Sequence, residues 1–171
     1  MRRFLRNLLI FASAAVCLAE HDPGHEEGAE WTGKPWLGKW VSVPEKDVNV
    51  LNFITEIGVA ASHPELPPIV TVLVNHYKKG DEYHQRLRVK EVADLDDHDI
   101  VYKLGQETKN VFNGTTFSVK YDEKDDALVG QVMLPSNNAT YKNEFKVEGD
   151  FLVKTSDAHG IVHKRYYKRR N

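Results

Sequence analysis

YKNEFKVEGDFLVKTSDAHGIVHKRYYK, residues 141–168, reads as three β-strands joined by two tight turns. Tyr141, Asn143, Phe145 and Val147 alternate with Lys142, Glu144, Lys146 and Glu148, the period of two of a strand with one wet face. Glu148-Gly149-Asp150 turns the chain into a strand over 151–155, and residues 157–160 turn it again into a last strand over 161–168. Strands joined by turns this short are antiparallel neighbours.

The same grammar extends upstream. Strand patterns occupy 38–43, 69–77, 83–91, 100–104, 107–112, 115–121 and 127–134, with Thr115, Phe117, Val119 and Tyr121 on one face of the sixth. Lys78-Lys79-Gly80-Asp81, the acidic loop 94–99, Asn113-Gly114 and Pro135-Ser136-Asn137-Asn138 punctuate them. The alternation breaks once, at 49–58, where Val50, Leu51, Phe53, Ile54 and Ile57 share a helical face and Gly58 supplies a stop. Pro64, Pro67 and Pro68 then oppose a long helix. Ten strands in one open sheet would leave long edges that pair with other chains, so closure is expected. The fold class is therefore all-β: a ten-stranded antiparallel up-and-down β-barrel, calycin-like, with a short helical lid after the first strand.

The ends of the chain set its organisation. Residues 1–19 have a basic start (Arg2, Arg3, Arg6), an apolar run over 8–18 and small Ala19, with Cys17 two places earlier, the pattern of a signal peptide. The apolar run is shorter than the roughly 20 residues of a membrane span; the competing reading is an uncleaved anchor. Residues 20–35, polar and acidic without periodicity, read as a flexible arm, and 36–171 as the barrel. Cleavage removes the single cysteine, so the core must stabilise the domain without a disulfide. It also removes three arginines, leaving 20 basic against 25 acidic residues, a charge of about −5 that argues against nucleic acid. Secretion to the extracellular space, no stable membrane insertion and a monomer are the expectations. His21, His25 and Glu26 read either as a weak metal patch or as a solvated tail. The remaining histidines are scattered, and no nucleophile elbow, phosphate loop or zinc motif occurs, so neither an enzyme nor a metal or cofactor is expected. Asn113-Gly114-Thr115 and Asn138-Ala139-Thr140 are sequons at turns, so Asn113 and Asn138 are candidate glycan acceptors; Asn113-Gly114 also reads simply as a hairpin turn.

On the last strand Ile161, His163, Arg165 and Tyr167 share one face, and Lys164 and Lys168 the other. Spacing leaves two arrangements open: Arg165 and Tyr167 inside the barrel, or both faces charged at a solvated strand end. A buried guanidinium is costly unless paired. A ligand carboxylate would be a suitable partner, gripped in a planar fork, with the Tyr167 hydroxyl as a second donor.

Gly38-Lys39-Trp40, the helical segment ending at Gly58, Tyr102-Lys103-Leu104-Gly105-Gln106-Glu107 and Gly160-Ile161-Val162-His163-Lys164-Arg165-Tyr166-Tyr167 occur in this order. Over residues 36–170 the chain thereby resembles the fatty-acid-binding (intracellular lipid-binding) protein family, most of all its secreted nematode-type branch. The resemblance implies a cavity for a fatty acid under a helix-turn-helix lid, its carboxylate meeting Arg165 and Tyr167. It also implies a secreted carrier of long-chain fatty acids or related acidic lipids. His163, Tyr141, Phe145 and Phe117 are expected to line the site. The family's second inward arginine falls on Phe145, and Lys142 and Lys146, predicted outward, do not replace it. The link after Gly58 is too short for the usual second lid helix. The alternatives are a lipocalin-like carrier of another small hydrophobic molecule, or a secreted interaction or structural protein that works through the arm or through the basic end 168–170.

Overall fold

The computed structural model describes residues 26–58, 70–90, 97–112 and 114–171. The leader 1–19, His21, His25, the link 59–69 and Asn113 lie outside the described residues. Ten strands follow in chain order: β1 (Gly38–Ser42), β2 (Val72–Lys79), β3 (Glu82–Val89), β4 (His98–Tyr102), β5 (Glu107–Phe112), β6 (Thr115–Lys124), β7 (Ala127–Leu134), β8 (Ala139–Glu148), β9 (Phe151–Ala158) and β10 (Ile161–Arg169). A 3-10 turn, Pro44–Lys46, and one helix, α1 (Val50–Glu56), separate β1 from β2.

The sheet order is β4-β3-β2-β1-β10-β9-β8-β7-β6-β5, all pairs antiparallel, with β1 joined to β10. This is the up-and-down barrel that the alternation implies. β4 and β5 are the two edges, adjacent in sequence but without a ladder between their described residues. Aromatic packing spans the seam: the rings of Tyr102 and Tyr121 lie 4.6 Å apart, and the Gly105 N–H donates to the Tyr121 carbonyl at 2.8 Å.

The barrel floor explains the opening motif. Trp36 and Trp40 are buried, and the Trp40 Nε1–H donates to the Trp36 carbonyl at 3.1 Å. The Arg169 guanidinium lies over the Trp40 ring at 4.1 Å and donates to the carbonyls of Leu37 and Pro35 at 3.0 and 3.2 Å. Gly38, at φ +138°, leaves room for it: a Cβ there would collide with Arg169 Nη1. Glycine is thus required twice over, for conformation and for the approach of Arg169.

Segment 20–35, read as a flexible arm, is bonded to the barrel in its described part. Glu30 and Lys78 exchange backbone hydrogen bonds of 2.7 and 2.9 Å. The Trp31 ring rests on Tyr77 at 4.9 Å, and Glu26 pairs with Arg86 at 2.7 Å. Polar composition concealed this because the contacts come from one tryptophan and a β-bridge, neither of which has a period. The helix is shorter than the 49–58 pattern, and Leu51, expected on its packed face, is 57% exposed. Phe53 and Ile57, four residues apart, make the buried stripe, and a residue two places from Phe53 points away from it.

Trp40→Ala should lower the unfolding free energy by about 3–5 kcal/mol, and Trp31→Ala by about 1 kcal/mol. Urea unfolding midpoints test both; an unchanged midpoint for Trp31→Ala would show that 26–35 adds nothing to the barrel.

Candidate ligand-binding cavity

Strand alternation turns Phe117 and Tyr121 of β6, and Tyr141, Asn143 and Phe145 of β8, into a cavity of about 270 Å³. The large aromatic cluster of the floor bounds it on one side and the Phe53–Ile57–Leu134 cluster of the lid on the other, with Phe117 and Tyr141 packed against both. Leu87, Ile100, Val132 and Leu134 make much of the wall. The polar groups largely satisfy one another. The Tyr121 hydroxyl donates to Gln85 Oε1 at 3.0 Å across the barrel, and Ser156 Oγ to Asn143 Oδ1 at 2.7 Å. Burial pushes the Tyr121 phenol well up and holds those of Tyr141 and Tyr167 at about 12, so all three are neutral donors at physiological pH.

Four of the six residues expected at the site line the cavity: Tyr167, Tyr141, Phe145 and Phe117. His163 does not. It is buried against the lid, its ring 5.3 Å from that of Phe53, with neither ring nitrogen bonded. Arg165 faces inward, as one of the two arrangements required, but it already has a partner and is not part of the cavity wall. Its Nε–H donates to Asp47 Oδ2 at 2.7 Å, with side-chain exposures of 13% and 6%. Asp47 follows the 3-10 turn, where its N–H donates to the Pro44 carbonyl at 3.1 Å. Burial opposes the charge on Arg165, but Tyr167 and Asp47 outweigh it and hold its pKa above the ordinary value. Burial likewise raises the Asp47 carboxyl against the pull of Arg165.

The cation on the cavity wall is Lys154 of β9. Register places it between Phe145 of β8 and Arg165 of β10, in one row on the inner face. Its Nζ lies 5.6 Å from the centroid of the Phe145 ring. It has no hydrogen bond or ion pair among the described residues. Burial, then the Arg165 charge, lower its pKa from 10.5 to about 8, with Asp47 opposing them. Lys154 thus stands beside the position where the resemblance expected a second arginine. A signal for it was present: counting back from the Gly149-Asp150 turn puts residue 154 opposite Phe145. Lys142 and Lys146 are exposed, as expected. Among the described residues no cluster of His, Cys, Asp and Glu is set to hold a metal.

A nearly closed antiparallel barrel with a helical lid, a floor of tryptophans and an apolar cavity holding a few polar groups defines a fatty-acid-binding-protein-like fold. In agreement, the chain superposes on the Schistosoma mansoni fatty acid binding protein in complex with arachidonic acid at a TM-score of 0.68, with 20% identity, covering 80% of this chain and 96% of that one. At 33% identity it superposes on a secretory abundant heat soluble protein from Ramazzottius varieornatus, crystallised from a dimer sample, at a TM-score of 0.74 and coverages of 82% and 99%. In sequence it is 48% identical over 175 residues to secretory-abundant heat soluble protein 2 of the same organism, covering 99% of both chains. The chain belongs to the secretory-abundant heat soluble protein family, and it is a secreted protein. No protein-family model matches it. The secretory-abundant heat soluble relatives are tardigrade proteins and lend no support to the nematode branch, whereas the fatty-acid-binding-protein-like fold holds.

The buried bases predict a pH dependence. Burial, then the charge of Lys154, lower His76 and His163 from 6.5 to about 3, and Arg165 adds to the effect on His163. The unfolded chain therefore binds protons that the folded chain refuses, and stability should fall as pH drops from about 6.5 towards 3. For Lys154 the window is 8 to 10.5, across which stability should rise with pH. Lys154→Met should accordingly be about 2 kcal/mol more stable than wild type at pH 7. That advantage should shrink as pH rises from 8 through 10.5 and vanish above it, where both states of the wild type are neutral at this position. Denaturant unfolding below and above that range checks this; a variant less stable at pH 7 would contradict it.

Proposed function

We propose that this protein is an extracellular carrier that reversibly holds a long-chain fatty acid or related acidic lipid in its barrel, for transport or storage, and performs no catalysis. The observation that carries this reading is Lys154, a cation with no hydrogen bond or ion pair among the described residues, on the wall of an apolar cavity. The carboxylate would meet Lys154 Nζ, with the Tyr167 hydroxyl as second donor, while Arg165 stays committed to Asp47. At about 270 Å³ the cavity lies just below the usual range of ligand sites, roughly 300–1,000 Å³. Each buried methylene would contribute about 0.8 kcal/mol, so the chain supplies most of the affinity and the head group the selectivity. A fatty acid in the related barrel from Schistosoma mansoni agrees with this reading. The basic end is a poorer candidate for a working surface, because Arg169 caps Trp40 and the Arg170 Nη2–H donates to Asn75 Oδ1 at 3.1 Å. Each barrel holds a complete cavity, so the monomer is proposed as the working unit.

Lys154→Met should weaken binding of a fatty acid roughly 10- to 100-fold, the worth of a charge-assisted hydrogen bond. It should change the affinity for the alcohol of equal chain length far less. Displacement of a fluorescent fatty acid measures both; equal losses would show that Lys154 does not read the carboxylate. We further propose a glycan on Asn138, exposed at φ +55° in the β7–β8 turn. Protein from a secreting eukaryotic host should lose mass on treatment with an N-glycosidase, and Asn138→Gln should abolish that loss.

A further inference from the structure

Lys154 differs in kind from the other amines described here. Most lysines sit on outward faces, and several pair with carboxylates, as Lys34 does with Glu123 and Lys103 with Asp81. Lys154 instead opens on an apolar cavity, its Nζ 5.6 Å from the centroid of the Phe145 ring. The charges of Arg165 on β10 and Asp47 beyond the 3-10 turn act on it, its own charge acts on His163 of β10 and His76 of β2, and Tyr167 of β10 shares the cavity wall. The one carboxylate of this set is bonded to Arg165. A primary amine kept from carboxylates and desolvated by its surroundings is the form in which lysine acts as a nucleophile towards carbonyls.

We infer that Lys154 captures long-chain aldehydes in the cavity as a covalent imine. The inference rests on the reading that the cavity accepts a lipid chain. In the step, the nitrogen lone pair attacks the carbonyl carbon and the C=O π pair moves to oxygen. One proton passes from nitrogen to that oxygen, giving a carbinolamine. The C–O bond then breaks and the oxygen leaves as water with the second nitrogen proton, so that amine and aldehyde become imine and water. No oxidant or reductant takes part. The Tyr167 hydroxyl, neutral at physiological pH, stands on the same wall to donate a hydrogen bond to the carbonyl oxygen. With a pKa of about 8, a usable fraction of the amine is unprotonated near neutral pH. The apolar wall disfavours the water that would hydrolyse the imine.

The test uses substoichiometric dodecanal with sodium cyanoborohydride as trap, followed by peptide mass mapping. Binding of dodecanoic acid is measured on the same preparation. Lys154 should carry at least tenfold more label than the average surface lysine, and dodecanoic acid should suppress that label. Lys154→Arg, which keeps the charge but cannot form the imine, should lose it. Lys154→Met serves as a second variant should the arginine fail to fold. Label spread evenly over surface lysines while dodecanoic acid still binds would overturn the inference and leave the carrier reading standing. Even labelling with no dodecanoic acid binding would overturn both. Selective labelling of Lys154 without dodecanoic acid binding would uphold the inference and overturn the preference for carboxylates.

Discussion

The ion pair between Asp47 and Arg165 decides what the interior of this barrel can do. A buried guanidinium must be compensated, and breaking such a pair typically costs 3–5 kcal/mol because the surviving charge is left uncompensated. Here the compensation is internal: a carboxylate just past the end of β1 bonds to an arginine 118 residues later. The arginine that would otherwise need a ligand is thereby satisfied. In the proposed function the role of receptor for an anion, or of reactive amine, falls one strand over to Lys154, which has no hydrogen bond or ion pair among the described residues. The same bond joins the backbone hydrogen bonds that Val43 and Val48 make with Tyr166 and Lys164 in tying the segment leading into the lid to β10.

The two ends of the barrel are fastened by different chemistry. The floor is aromatic and deep, with Trp36, Trp40 and Arg169 locked by stacking and by hydrogen bonds to carbonyls. The lid is held at its rim by polar contacts in more exposed positions. Asn137 Nδ2–H donates to the Ile57 carbonyl at 2.8 Å, and His159 meets Glu56 at 2.9 Å. Phe53 and Ile57, with the half-buried Ile54 beside them, anchor the helix in apolar surroundings. Local opening is easiest where few apolar contacts must be broken. The lid end is therefore the natural entrance to the cavity, and the floor the fixed point against which it opens.

The strands were legible because alternation and turn chemistry agreed over nearly the whole chain. β5 and β7 fall on the expected residues, and the Gly80-Asp81 and Gly149-Asp150 turns fix the register on either side of them. The inward direction of Arg165 and Tyr167 was one of two arrangements that spacing allowed. Its meaning was not legible, because the partner Asp47 lies far away in sequence inside an irregular turn. Lys154 escaped notice because Phe151, Leu152 and Val153 are consecutive apolar residues, so the face of β9 cannot be judged from hydropathy and must be counted from the turn. The docked segment 26–35 was missed for the opposite reason: its contacts depend on single residues, Trp31 and Glu26, within a polar background.

The central claim is that the ligand head group belongs to Lys154 and not to Arg165. A crystal structure of the protein with a bound long-chain fatty acid tests it most directly. The account predicts a carboxylate oxygen within about 3 Å of Lys154 Nζ, with the Asp47–Arg165 pair intact. A carboxylate on Arg165 with Asp47 displaced, or a chain lying with its methyl end against Lys154, would contradict it.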